Sequence, residues 1–184
     1  MYEIVTMRSK IKLPAKYLES NDRDKYLIEA INKEISGKVI DNRLLGIACI
    51  KINEVGKGEI FMGEPDAYYE TTFDILAFQP NLKEVFRGQV VDINETFAMV
   101  NIGPVDGAVH ISQVMDDFAE YDNGAFVGRK SKETIKTGDT VLASITAIST
   151  KTGLKIGMTM RSIGLGKLES KKKKEVEKEK KESK

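Results

Sequence analysis

In the second half of the chain, flat rings and cations occur at the spacing of β-strand residues. These are the side chains of the sequence that could contact a ligand's bases and phosphates. Side chains alternate between the two faces of a strand, so Ala98 and Val100 on one face place Phe97 and Met99 on the other. The same alternation predicts four more outward side chains: Asn101, His110, Lys155 and Thr159. Stacking faces and cations are what single-stranded nucleic acid requires, and Lys151 in the preceding turn extends the cationic strip.

A second cationic group lies between the third and fourth strands of this half. It comprises Arg129, Lys130, Lys132 and Lys136. An acidic group precedes it: Asp116, Asp117, Glu120 and Asp122. Arg129 and Lys130 are candidate phosphate contacts, but the two groups can also pair across the loop, where exposed ion pairs stabilise little. The sequence leaves open whether residues 115–137 bind RNA or protein.

The sequence lacks the residue patterns that catalysis, metal binding and nucleotide hydrolysis require. Cys49 is the only cysteine, which excludes a Cys-based zinc cage. With no Cys cluster and no second histidine, we reject His110 as a metal ligand or triad base. Gly164–Lys167 lacks the upstream glycine and the following Ser or Thr of a phosphate-binding loop. We therefore predict a non-enzymatic protein without cofactor or metal. A lone exposed histidine is more often incidental than functional, and Phe97 can equally cover the barrel end or pack on a partner.

Charge is distributed unevenly along the chain. The stretch from Lys167 holds nine lysines and five glutamates, which leaves a net charge of −3 on residues 1–166. Nucleic-acid binding must therefore use a local patch. The apolar run Leu44–Ile50 is too short to cross a bilayer, and Met1–Val5 resembles no secretory signal. The sequence predicts a cytoplasmic protein with no membrane partner.

The first 80 residues have the pattern of a sheet with one helix. A strand from Ile4 to Leu13 ends at Pro14, and the residues Ser20–Asp24 have the composition of a helix start. The helix carries an apolar stripe: Leu27, Ile28, Ile31 and Ile35. Gly37 ends it, and strands follow to Gln79, with turns predicted at Gly56–Gly58 and Gly63–Asp66. The pattern predicts an α+β domain, residues 1–80, with an antiparallel sheet.

The second half predicts an all-β domain, residues 83–161. Its five strand-like segments are Val85–Ile93, Phe97–Ile102, Val105–His110, Val141–Ile148 and Leu154–Met160. Five strands with a long irregular excursion after the third are typical of an OB-fold barrel. Residues 167–184 are almost entirely Lys and Glu, and we expect this tail to be disordered.

Several motifs in this half resemble the RNA-binding domain named after ribosomal protein S1. They are Gly88–Ile93, Phe97–Gly103, Gly107–Val114, Lys136–Val141 and Leu154–Met158. In that family the RNA face includes a histidine after the third strand and a basic residue on the fifth, which His110 and Lys155 match. The two aromatic positions of the second strand fall on Thr96 and Met99 here, with Phe97 between them.

The arrangement of a short sheet-and-helix domain before such a barrel narrows the resemblance. With its start at Met1–Val5 and the junction Phe86–Asp92, the chain is similar to the archaeal RNA polymerase E-prime family, relatives of the seventh subunit of eukaryotic RNA polymerase II. The resemblance implies a non-catalytic stalk subunit that pairs with a small helical partner of the same polymerase, docks on the polymerase core and binds emerging single-stranded RNA. It also implies docking through the loop Gly56–Pro65, with these candidates: Gly56, Gly58, Gly63, Glu64 and Pro65.

Three other functions fit the same pattern. The barrel also occurs in cap subunits of the RNA exosome and in translation factors, although the helix-bearing first domain argues against both. The acidic body also allows a protein-only assembly scaffold. Capture of native partners discriminates among these classes.

Overall fold

The computed structural model describes residues 1–18, 23–41, 43–151 and 153–168. The chain divides into two compact units, with the first ending at Gln79 and the second beginning at Pro80. Among the described residues, no helix has the length and apolar character needed to cross a membrane.

The first unit is a four-stranded antiparallel sheet with one helix on one face. Its elements are β1 Tyr2–Leu13, α1 Arg23–Ile35, β2 Val39–Ile40, β3 Leu44–Ile60 and β4 Ala67–Phe78. The strand order is β1-β4-β3-β2. Leu27, Ile31 and Ile35 are buried against Phe73 and Ile75, because their spacing gathers them on one helix face. The α+β prediction is confirmed. The predicted helix cap, Ser20 to Asp22, lies outside the described residues.

The turn predicted at Gly56–Gly58 is wrong. These glycines lie within β3, at a register shift between Val55 and Gly58 in its pairing with β4. A Cβ on Gly56 would be 2.9 Å from the carbonyl oxygen of Glu70, and one on Gly58 would meet the Tyr69 ring at the same distance. The glycines therefore permit close passage of two strands instead of ending one. Gly63–Asp66 does form the connection between β3 and β4.

The second unit contains a closed barrel. Its elements are β5 Val85–Ile93, β6 Phe97–Asn101, β7 Asp106–His110, β8 Ala119–Asp122, β9 Ala125–Gly128, β10 Thr134–Lys136, β11 Thr140–Ser149, β12 Lys155–Thr159 and β13 Gly166–Lys167. The order β12-β7-β6-β5-β11 closes through an additional pairing of β11 with β12, and β7 pairs with β12 in parallel. This confirms the predicted five-stranded OB-fold barrel.

The alternation of side chains in the barrel is as predicted, with one exception. Ala98, Val100 and Val109 are buried, whereas Phe97 and His110 are exposed. Thr159, predicted to face outward, is only 8% exposed. Its hydroxyl donates to Gln113 Oε1 over 2.9 Å, because the turn after β7 folds over the end of β12.

The excursion between β7 and β11 was predicted to be irregular, and this prediction is wrong. It forms an antiparallel sheet of order β10-β9-β8. Asn123 and Gly124, with φ of 46° and 81°, form the two-residue turn between β8 and β9. Asn-Gly suits this turn because both positions need positive φ. Phe126 of β9 is fully buried.

The end of the barrel extends beyond the predicted domain. Lys167, taken from the sequence as the first residue of the charged tail, lies in β13 beside β11. Its side chain is only 17% exposed, and Nζ lies 2.7 Å from Asp139 Oδ2. Residues 169–184 of the predicted tail lie outside the described residues.

Packing in the barrel leaves no room for a side chain at Gly88, so any substitution there should destabilise the fold. A Cβ there would lie 2.5 Å from Val100 Cγ1 and 2.6 Å from the carbonyl oxygen of Asn101. Because that oxygen is fixed in the β5–β6 ladder, we expect Gly88→Ala to lower the free energy of unfolding of the barrel by about 1–3 kcal/mol in urea denaturation. Val91→Ala, at an exposed position of the same strand, should change it by less than about 0.5 kcal/mol. Parental stability of Gly88→Ala would show that β5 and β6 are not packed as described.

Candidate nucleic-acid interface

Two of the predicted site residues lie directly opposite each other on the outer barrel face. Phe97 of β6 pairs with His110 of β7 in the ladder, and their ring centroids are 5.2 Å apart at an interplanar angle of 78°. Phe97 remains 39% exposed and His110 is exposed as well. An edge-to-face pair of this kind fixes both rings and leaves ring surface open to a base.

Hydrogen bonding fixes the tautomer of His110. The backbone N–H of Ser112 donates to His110 Nδ1 over 3.2 Å, and the Ser112 hydroxyl oxygen lies 2.8 Å from the same nitrogen. Since Nδ1 accepts a hydrogen bond, the neutral ring carries its proton on Nε2. His110 therefore offers one N–H donor to a ligand, at a ring held in place by the turn that follows β7.

The remaining predicted residues of this face are spread along it. Met99 is half-buried between Asp92 of β5 and Ala108 of β7. Lys155 precedes Ile156, which pairs with Gly107, so Lys155 lies at the opposite end of β7 from His110. Four residues of strand separate these ends by about 13 Å. The structure therefore brings Phe97 and His110 together but does not bring Lys155 to them.

The lysine end of the face also carries polar and acidic groups. Asn101 Nδ2 donates to Asp106 Oδ1 over 2.8 Å. Lys151 and Lys155 are both exposed, on either side of Leu154. Cations and hydrogen-bonding groups thus lie at one end of the face, and rings at the other.

Arg129 is held by acidic and aromatic neighbours. Its Nε donates to Glu120 Oε1 over 2.9 Å, and its guanidinium lies 5.0 Å from the centroid of the Phe118 ring. Arg129 therefore pairs with an acidic residue of the same loop, as the alternative interpretation of the sequence expected. Lys130 is exposed, and its backbone N–H donates to Asp117 Oδ2 over 2.7 Å.

Asp117 organises this loop, a role that the sequence analysis missed. Its carboxylate accepts three backbone N–H groups, from Phe118, Lys130 and Ser131, at 2.7, 2.7 and 2.8 Å. These bonds, that from Ser131 first, lower the pKa of Asp117 to about 2. The carboxylate fastens the turn after β9 to the start of β8. No local sequence pattern predicts a contact between Asp117 and Ser131, which are 14 residues apart.

The predicted docking segment carries exposed apolar side chains that were also missed. Ile60, Phe61 and Met62 follow the glycines of β3, and Met62 is fully solvent-exposed. Gly63, the next residue, has a positive φ of 90°, so the chain turns there. Glu64 then accepts a hydrogen bond from the Tyr68 hydroxyl over 2.6 Å. In the sequence, three consecutive apolar residues, Ile60-Phe61-Met62, directly before a Gly-Glu-Pro loop could have indicated an exposed apolar surface.

Comparison with known proteins agrees with this geometry. Residues 79–158 match the model of the S1 RNA binding domain family. The chain is 33% identical to DNA-directed RNA polymerase subunit Rpo7 of Saccharolobus shibatae, over 92% of this chain and 96% of that protein. It is 35% identical to Rpo7 of Sulfolobus acidocaldarius, over 92% and 94% respectively. It is 31% identical to DNA-directed RNA polymerase III subunit rpc8 of Schizosaccharomyces pombe, over 44% and 39%.

The barrel and its family match define the second unit as an S1-type RNA-binding domain of OB fold. Identity over nearly the full length extends the assignment to both units. The chain belongs to the Rpo7 family of subunits of DNA-directed RNA polymerase. It is therefore an accessory, non-catalytic subunit of that enzyme, and the resemblance seen in the sequence is confirmed.

The contacts of Asp117 predict an unusually acid titration. Because the pKa is lowered, the carboxylate and its bonds to the Lys130 and Ser131 amides persist well below pH 3.8 and are lost as pH falls through about 2. We expect the NMR shifts of these two amide protons to titrate with a midpoint of about 2. Asp117→Asn should abolish the transition. A midpoint near the ordinary value of 3.8 would contradict the three-bond geometry.

Proposed function

We propose that this protein forms a stalk heterodimer with the small helical partner of the polymerase, docks on the polymerase core through its first unit, and binds emerging single-stranded RNA through its second. The observation that carries the proposal is the exposed Phe97–His110 ring pair on the outer face of an S1-type barrel. A cytoplasmic location belongs to the same proposal, because transcription in cells without a nucleus takes place in the cytoplasm.

RNA binding uses different chemistry at the two ends of the outer face. Bases stack on Phe97 or hydrogen-bond to His110 Nε2, and the half-buried Met99 supplies an apolar contact between the strands. Phosphates meet Lys151 and Lys155 at the other end. Arg129 and Lys130 contribute outside the barrel face. With few cations and a net charge of −3 on residues 1–166, the affinity is modest and independent of sequence.

Docking on the core uses the end of β3 and the loop that follows it. Apolar residues at a protein surface are typical of interaction sites when they cluster, as Ile60, Phe61 and Met62 do. Gly56 and Gly58 act indirectly, since they let β3 run close to β4 and carry this apolar end. Gly63, Glu64 and Pro65 shape the loop. The pairing with the small helical partner is supported by the family resemblance, and we assign it no residues.

The ring pair gives the first test of RNA binding. Phe97→Ala removes a stacking surface and should weaken binding of a single-stranded RNA by about 1–3 kcal/mol in a fluorescence anisotropy titration. Phe97→Tyr keeps the ring and should bind like the parent chain. Unchanged affinity of Phe97→Ala would contradict stacking at this position and favour the scaffold alternative.

The docking proposal has a separate test. Placing two carboxylates on the apolar end, with Phe61→Glu and Met62→Glu together, should weaken association with the polymerase core at least about tenfold, because a hot-spot contact is worth that much or more. RNA affinity should not change. Ile163→Glu is the matched control, since Ile163 is a fully exposed apolar residue of the second unit. Parental association of the double variant would exclude this loop as the docking site.

A further inference from the structure

The second unit presents another exposed aromatic ring away from the ring pair. Phe118, immediately before β8, is 66% exposed. It extends the β8–β9 ladder by one position, because the N–H of Arg129 donates to the carbonyl oxygen of Phe118 over 2.9 Å. Its ring lies 5.0 Å from the Arg129 guanidinium, so a ring and a planar cation stand side by side.

This pair is held in place without a ligand. Glu120 binds Arg129 through Nε over 2.9 Å. Asp117 binds the backbone N–H groups of Phe118, Lys130 and Ser131, and so fixes both chain segments that carry the pair. A ring that is already ordered loses little conformational freedom on binding, which favours its use as a stacking surface.

Two lysines beside the pair favour a polyanion. Three acidic neighbours are engaged locally: Glu120 by Arg129, Asp116 by Arg161 at 3.1 Å, and Asp117 by backbone N–H groups. The exposed Asp122 accepts only from the Asn123 side-chain amide, over 2.9 Å, among the described residues. The ammonium groups of Lys130 and Lys132, by contrast, have no ion-pair partner within the described part of the chain. Phosphates arriving here meet cations that are not already neutralised.

The length of the connecting chain limits how far the pair can lie from the ring pair. Phe97 begins β6 and His110 ends β7, at the same end of the barrel. The segment from His110 to Phe118 crosses that end, bound by the Ile111 N–H to Thr96 O at 2.8 Å and by the Met160 N–H to Gln113 O at 2.8 Å. Eight residues of chain bound the distance at about 28 Å, which one oligonucleotide can span.

We propose that Phe118 and Arg129 form a second base-stacking site for single-stranded RNA, so that a strand held on Phe97 and His110 continues over the three-stranded sheet. Lys130 and Lys132 contact the phosphates of this continuation. The inference rests on the proposed function, because it extends the same RNA path. It assigns the excursion after β7 to RNA and not to a protein partner.

A single tryptophan can report on each site, because the chain contains none. Phe118→Trp and Phe97→Trp are prepared separately in the full chain and titrated with an oligouridylate of about 16 nucleotides, the upper site size of one OB fold. We expect fluorescence quenching in both variants at the same RNA concentration. Phe118→Ala should weaken binding of this RNA at least about fivefold, and Phe118→Tyr should bind normally.

The outcomes separate this inference from the proposed function. If RNA quenches only the Phe97→Trp variant, and Phe118→Ala binds RNA as tightly as the parent chain, the second site is wrong. The proposed role of the Phe97–His110 pair is then unaffected. Absence of quenching in both variants would overturn both proposals. If Phe118→Ala keeps its RNA affinity but loses association with polymerase subunits, the surface binds protein and the inference is wrong. Circular dichroism of each variant confirms that it is folded.

Discussion

The parallel pairing of β7 with β12 is the contact on which the arrangement of the second unit depends. It closes the barrel between β7 and β11, and Met158 packs against Gly107, where a Cβ would lie 2.3 Å from Met158 Sδ. The same pairing fixes Lys155 at the start of the shared face and His110 at its end. The order of side chains along the outer face, with cations at one end and rings at the other, is thus a consequence of one strand pairing.

Local alternation was sufficient to predict that Phe97 and His110 face outward, because facing in or out along a strand depends on period alone. Phe97 and His110 were found in this way, and so were the five strands that hold them. Thr159, Gly56 and Gly58 were misread because their surroundings depend on chain far away in sequence, from Gln113 in the first case and from β4 in the others. The contacts of Asp117 across the excursion were invisible for the same reason.

The two units divide the proposed work by surface chemistry. The first unit exposes apolar residues at the end of its longest strand, which suits association with protein. The second exposes rings and lysines on a barrel, which suits a flexible polyanion. Arg129 is already paired with Glu120, so the proposed phosphate contacts depend mainly on the exposed lysines. Under the proposed function, weak and sequence-independent contact suits a surface that accepts transcripts of any sequence.

The most direct test of RNA contact is photocrosslinking in a reconstituted elongation complex whose transcript carries 4-thiouridine just beyond the point of exit. The account predicts crosslinks to this protein within the segment from Phe97 to Phe118, identified by mass spectrometry of its peptides. Crosslinks confined to other subunits, with this chain present in the complex, would contradict the claim that its barrel binds the emerging RNA.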